Sequence, residues 1–158
     1  GILDEETMLK FVNAIGRDNA RFPMHWDDSD NAGFTTGTPW ISVNENYKKI
    51  NAAAQVNDPD SIFSYYKKLI ELRHQMEIVY GVYKSKAIEH PDVFAYTRTL
   101  GDEKLFVVCN FREQEMDFTL EDGFTGDEKV LISNYDDVVK TENGIYLRPY
   151  EAKVFYQK

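Results

Sequence analysis

Three patterns of apolar and polar positions follow one another along the chain. Over residues 5–15, Met8, Phe11, Val12 and Ile15 recur at three- and four-residue steps, which predicts a helix with one apolar face. Asp4 stands where a side-chain oxygen can cap the first turn, and Gly16 where a left-handed residue would close the last. Residues 17–57 then lose any period and are rich in Asn, Asp, Gly, Thr and Pro. A loop of that length inside a compact domain is functional or disordered, and its Trp, Tyr and Phe residues predict order through packing. A second helix is announced by Asp58-Pro59-Asp60-Ser61, with Asp58 as cap and Pro59 at the first helical position. Ile62, Tyr65, Tyr66, Leu69, Ile70, Arg73 and Met76 continue it to about Glu77, on a face wide enough for a large partner surface.

From Val79 the period becomes two. Candidate strands are 80–89, 94–100, 104–110, 116–120, 129–133, 144–147 and 152–156, separated by turn signals such as His90-Pro91-Asp92, Gly101-Asp102 and Asn143-Gly144. Short strands at this spacing predict an antiparallel sandwich. The fold class is therefore α+β: a helical and loop-rich N-terminal part followed by an antiparallel β-sandwich.

Composition narrows the partners. The 158 residues suffice for one domain or two small ones but fall short of a (β/α)8 barrel, which takes roughly 250. A formal net charge of −9 argues against nucleic acid, because phosphate binding draws on clustered Lys and Arg. No apolar run is long enough to span a membrane. Residues 1–6 lack the basic flank of a signal peptide, and the missing initiator Met leads us to expect a longer parent chain located in the cytoplasm. Cys109 is alone, inside the apolar run Leu105-Phe106-Val107-Val108, and reads as an inert buried thiol.

Candidate chemistry concentrates in residues 16–40. Arg17, Arg21, Trp26, Trp40 and the acids Asp18, Asp27, Asp28 and Asp30 combine planar donors with flat apolar rings, a set that suits a sugar. A structural loop stapled by Arg–Asp pairs fits the same residues, with Arg17 and Arg21 neutralising Asp18. Asp28, Asp30 and Gly33 resemble the start of a calcium loop, but Ala32 and Pro39 occupy ligand positions, so no metal is expected. His25, His74 and His90 are too scattered for zinc. No nucleophile elbow and no phosphate-binding glycine loop is present, and no cofactor is expected. The loop Asp residues could form a carboxylate pair for glycoside hydrolysis only by proximity.

Arg17-Asp18-Asn19-Ala20-Arg21, Pro23-Met24, Trp26-Asp27, Asn31-Ala32-Gly33-Phe34-Thr35, Pro39-Trp40, Val43-Asn44 and Asn46-Tyr47 together resemble the oligo-1,6-glucosidase group of glycoside hydrolase family 13. The likeness continues through Tyr65-Tyr66-Lys67-Lys68-Leu69-Ile70-Glu71-Leu72-Arg73, Tyr80-Gly81 and Ala95-Tyr96 to Leu147-Arg148-Pro149-Tyr150-Glu151-Ala152. That group includes α-glucosidases, dextran glucosidases, trehalose-6-phosphate hydrolases and sucrose isomerases.

The resemblance implies the C-terminal portion of a retaining α-glucosidase that cleaves α-1,6 or α-1,4 bonds of short oligosaccharides. It implies catalytic carboxylates upstream, with none in this chain, and Arg17 as the one substrate-binding residue here. Residues 1–78 would end the catalytic barrel, and residues 79–158 would form a C-terminal β-sandwich packed on it. Gly16, Phe22 and His25 replace the group's common Ser, Thr and Gln, which leaves substrate preference open. A carbohydrate-binding β-module without catalysis, or a piece of a sucrose isomerase or trehalose-6-phosphate hydrolase, are the alternatives.

Overall fold

A computed structural model describes residues 4–16 and 20–158. The chain divides into two compact units, Gly1–Tyr65 and Tyr66–Lys158, with the division inside a helix.

The first unit opens with α1 (Glu5–Ile15), capped by Asp4, whose carboxylate accepts the Thr7 N–H at 2.9 Å. Gly16 ends α1, but not in the left-handed conformation that the sequence suggests. It is extended, with φ −63° and ψ 123°, and its N–H reaches the Val12 carbonyl at 2.7 Å. A Cβ at position 16 would collide with that carbonyl, so close backbone approach is what asks for glycine here.

Residues 20–57 are more ordered than their lack of period implies. They carry 3₁₀ turns at Asp30–Gly33 and Glu45–Lys48 and a short helix, α2 (Ala52–Val56). Five residues are too few to show a helical period. Instead α2 is imposed by its surroundings. Asn51 Oδ1 accepts the Ala54 N–H, while the His25 and Trp26 carbonyls accept the Ala52 and Ala53 N–H groups, each at 2.9 Å. Those are the N–H groups a helix start leaves without partners.

Helix α3 (Ile62–Gln75) begins later than Pro59. Asp58 Oδ1 closes a local turn on the Asp60 N–H at 2.9 Å, and the capping role falls to Ser61, whose Oγ accepts the Ser64 N–H at 3.1 Å. The helix stops two residues short of Glu77, which opens a 3₁₀ turn, Glu77–Tyr80.

The second unit is the expected sandwich. One sheet has strand order β1-β2-β3-β8-β5 and the other β4-β7-β6, with every pairing antiparallel. The strands are β1 (Val82–Lys86), β2 (Val93–Leu100), β3 (Glu103–Asn110), β4 (Met116–Thr119), β5 (Lys129–Ser133), β6 (Val139–Thr141), β7 (Gly144–Leu147) and β8 (Ala152–Gln157). β6 has only three residues, too few for alternation to be read, and β1 is shorter than 80–89 because the 3₁₀ turn takes up Tyr80.

Ala95, Phe106, Val108 and Phe155 from the larger sheet meet Phe118, Ile145 and Leu147 from the smaller, with Leu120 and Phe124 filling the end of the core. Phe106 packs on the rings of Phe118 and Phe124, with centroids 6.3 and 5.3 Å away. Ile78 of the 3₁₀ turn is fully buried, where that turn packs on β2 and β3.

Charge is buried in this unit too. Lys153 shares the inner face of β8 with Phe155 and is paired at 2.5 Å with Glu151, which has no exposure at all. Lys153 Nζ also donates to Ser133 Oγ and the Asp137 carbonyl. Arg148 completes the group: Nε and Nη2 each reach the Glu151 carboxylate at 3.0 Å, and Nη1 reaches Asp137 at 2.7 Å. Its guanidinium lies 4.0 Å from the Tyr135 ring centre. Burial opposes ionisation of Glu151, but the hydrogen bonds from Arg148 and Lys153 outweigh it and hold the carboxyl below its ordinary range.

Candidate functional site

Arg17, the substrate-binding candidate, lies with Asp18 and Asn19 outside the described residues. What can be built is the segment that follows them.

Its organising feature is a backbone turn in the left-handed region. Asn31, Ala32 and Gly33 have φ of 52°, 57° and 66° in succession. For an L-residue with a Cβ this costs about 1–2 kcal/mol, so something must hold it. Asn31 Nδ2 donates to the Thr35 carbonyl at 3.1 Å and to the Gly37 carbonyl at 3.0 Å. The Ala32 carbonyl accepts the N–H groups of Trp26 and Asp27 at 2.8 and 3.3 Å, and its methyl group is fully buried.

Asp27 closes the turn from the other side. Its carboxylate accepts the Ser29 hydroxyl and the Ser29 N–H, which hold it below the usual carboxylate range. A Cβ on Gly33 would stand 2.7 Å from that carboxylate, so the turn and the acid fit only with glycine there. Asp27 is thus ionised and committed to loop architecture, and it does not form a carboxylate pair for catalysis.

The Trp pair divides. Trp26 is tied by its backbone, through its N–H to Ala32 and its carbonyl to Ala53, while its ring is 54% exposed. Trp40 is 92% exposed. Beside Trp26, His25 Nδ1 lies 3.1 Å from the Ile50 carbonyl, so Nδ1 carries the proton. His25 Nε2 is buried without a partner among the described residues. Phe22, Met24, His25, Ile50, Gln55 and Phe63 line a mostly apolar pocket of about 370 Å³.

Two asparagines that sequence reasoning passed over do much of the holding. Asn51, 6% exposed, donates to the Tyr47 carbonyl at 2.9 Å while capping α2. Asn44 caps the turn at Glu45–Lys48 through the Asn46 N–H at 3.0 Å. Each directly precedes the element that it caps, and that position was the available signal. Among the described residues no group of three or more His, Cys, Asp or Glu is placed to hold a metal, and no helix is long and apolar enough to cross a membrane. Cys109 is half-buried, and burial pushes its thiol up, away from the reactive thiolate.

With this geometry in hand, comparison with known proteins is informative. Residues 2–81 match the model of the alpha amylase catalytic domain, and residues 93–154 match that of the alpha-amylase SusG C-terminal domain. The oligo-1,6-glucosidase of Parageobacillus thermoglucosidasius is 52% identical over 155 residues, covering 96% of this chain and 28% of that protein. The oligo-1,6-glucosidase of Bacillus cereus is 52% identical over 161 residues, covering 98% of this chain and 28% of that protein. Among solved structures, the isomaltulose synthase of Protaminobacter rubrum superposes with a TM-score of 0.90 at 43% identity, over 99% of this chain and 28% of that one. The trehalose-6-phosphate hydrolase of Bacillus licheniformis gives 0.88 at 42%, over 97% and 28%. The chain therefore spans a little over a quarter of the length of the relatives it matches.

Proposed function

The chain belongs to the alpha-amylase family, and from that premise we propose that it is the C-terminal portion of an α-glucosidase of the oligo-1,6-glucosidase type. The whole protein would hydrolyse α-1,6 or α-1,4 glucosidic bonds of short oligosaccharides with retention of configuration, in the cytoplasm. The observation that carries this reading is the 52% identity to oligo-1,6-glucosidases across nearly the full chain.

Retaining hydrolysis needs a nucleophilic carboxylate and an acid/base carboxyl about 5 Å apart. Asp27 is engaged by Ser29, and the carboxyl groups of the sandwich serve ion pairs, which is in keeping with the acid–base chemistry lying elsewhere in the protein. In this reading residues 1–78 end the catalytic barrel and residues 79–158 form the C-terminal sandwich. The turn at residues 31–33, braced by Asp27, supports one wall of the substrate site, and Arg17 contacts a sugar hydroxyl. The apolar faces of α1 and α3 turn toward the barrel wall.

The test is an assay of the whole protein with isomaltose, maltose and p-nitrophenyl α-glucoside, beside trehalose 6-phosphate and sucrose. Hydrolysis of the first three is the expected result, with none by the 158-residue chain alone. Turnover by the chain alone would overturn the assignment of the catalytic groups to another segment. In the whole protein, Arg17→Ala is expected to lower kcat/KM by roughly 10- to 150-fold, the worth of a hydrogen bond to a charged group. An unchanged kcat/KM removes Arg17 from the site.

A further inference from the structure

The sandwich carries an aromatic row that its own core does not use. On the outer face of the larger sheet, strand register places Tyr83 opposite Arg98, and Phe94 opposite Cys109. Tyr83 and Tyr96 stack with centroids 5.1 Å apart, Tyr96 and Phe94 at 5.6 Å, and Phe94 meets Phe111 edge-on at 6.5 Å. The Arg98 guanidinium lies 5.6 Å from the Tyr83 ring centre. Tyr83 and Phe94 are each 46% exposed and Phe111 62%. Rings already ordered against one another, with an arginine and few other charges, have the composition of the centre of an interface.

We propose that this row is the seam on which the sandwich docks the part of the catalytic domain that precedes residue 1. The inference rests on the reading that the chain is the C-terminal quarter of an α-glucosidase, and it names the residues of that contact.

The size of the row favours this occupant over a second copy. Three half-exposed rings offer about 300 Å². Matched by an equal area on the partner, the seam reaches the lower end of the range for contacts between domains of one chain, about 600–1,500 Å². It stays well short of the roughly 1,200–2,000 Å² on which two separate proteins form a stable complex. A covalently joined neighbour, held at high effective concentration, can use so small a patch. The family supplies such a neighbour, since the catalytic-domain match covers only residues 2–81 while the relatives are more than three times this chain's length.

Two measurements on the whole protein decide the matter. Hydroxyl-radical footprinting, read by mass spectrometry as the ratio of denatured to native labelling rates, is expected to show Tyr83, Phe94 and Phe111 protected at least tenfold, as buried Phe106 will be. Protection of about twofold, which half exposure alone gives, overturns the proposal. So does protection that appears only on raising protein concentration, which indicates a second copy, or only on adding isomaltose, which indicates a sugar platform.

Phe94→benzoylphenylalanine, photoactivated in the whole protein, is expected to capture peptides that precede residue 1. Capture of peptides from residues 1–158 alone, or of none, overturns it. Neither readout depends on turnover. An active enzyme with open rings refutes the seam and leaves the proposed function standing, and protected rings in a protein inactive on α-glucosides do the reverse.

Discussion

The loop segment 20–57 and the sandwich solve the problem of order in opposite ways. In the sandwich, Phe106, Phe118, Phe124 and Phe155 are inside, and the ions that accompany them, Glu151 and Lys153, are paired. In the loop segment the buried residues are Pro23, Ala32 and Asn51, while Met24, Trp26, Phe34, Trp40 and Ile50 are each about half exposed or more. Hydrogen bonds do there what apolar burial does in the sandwich: Asn31, Asn44, Asn51 and Asp27 satisfy backbone groups that no regular element would pair. A count of apolar residues therefore does not locate a core. What matters is whether the polar groups around them are used to close the structure inward or to present those residues outward.

The contrast is broken or sharpened by substitution. Phe106→Ala is expected to remove about 3–5 kcal/mol of stability, measured by denaturant unfolding, because it opens a cavity among rings that cannot close over it. Glu151→Gln is expected to cost about 3 kcal/mol, since it leaves the Lys153 ammonium buried without its counter-charge.

The sign with pH follows from the same residue. Glu151 has a folded pKa depressed below its unfolded value of about 4.3, so its contribution is fully present above that pH and is lost as pH falls through the folded value. Unfolding measured between pH 6 and about 3 is expected to show that loss in the wild type and a flatter profile in Glu151→Gln. Asp122, held down by Lys86, contributes in the same direction in both proteins.

Asn51→Ala in the loop is expected to cost about 1–2 kcal/mol, the worth of a cap and a buried hydrogen bond, with faster amide exchange at Ala54. Trp40→Ala is expected to stay within about 0.5 kcal/mol in this chain despite deleting its largest type of side chain. A loss at Trp40 as large as that at Phe106 would erase the distinction between the two regions.

The same distinction explains what could be read in advance. The strands 104–110, 129–133 and 144–147 follow from alternation because one face of each is buried by its own sandwich, and burial is what writes a period into a sequence. Residues 5–15 form a helix as their spacing predicts, though Met8, Leu9, Phe11 and Val12 are half exposed here.

The misses lie where tertiary hydrogen bonds choose the conformation. α2 depends on the carbonyls of His25 and Trp26, some 26 residues away in sequence, and no local pattern reports that. Ser61 displaces Asp58 as the cap of α3 because its hydroxyl is also anchored on the Gln55 and Asp58 carbonyls. In the candidate site, the loop's composition signalled its importance, and the family motif singled out Arg17. The bracing by Asn31 and Asp27 emerged only from coordinates, because left-handed backbone at Ala32 contradicts what its residue type prefers.

Lys153 has a consequence for anyone studying this protein in solution. Reagents that acylate amines, and trypsin, act on lysines they can reach, and this one is 1% exposed with its ammonium held by Glu151, Ser133 and Asp137. It stays silent to them while the two sheets are closed and becomes reactive when they part. The residue is a built-in reporter: its acylation, followed by mass spectrometry, times the opening of the sandwich without any added probe.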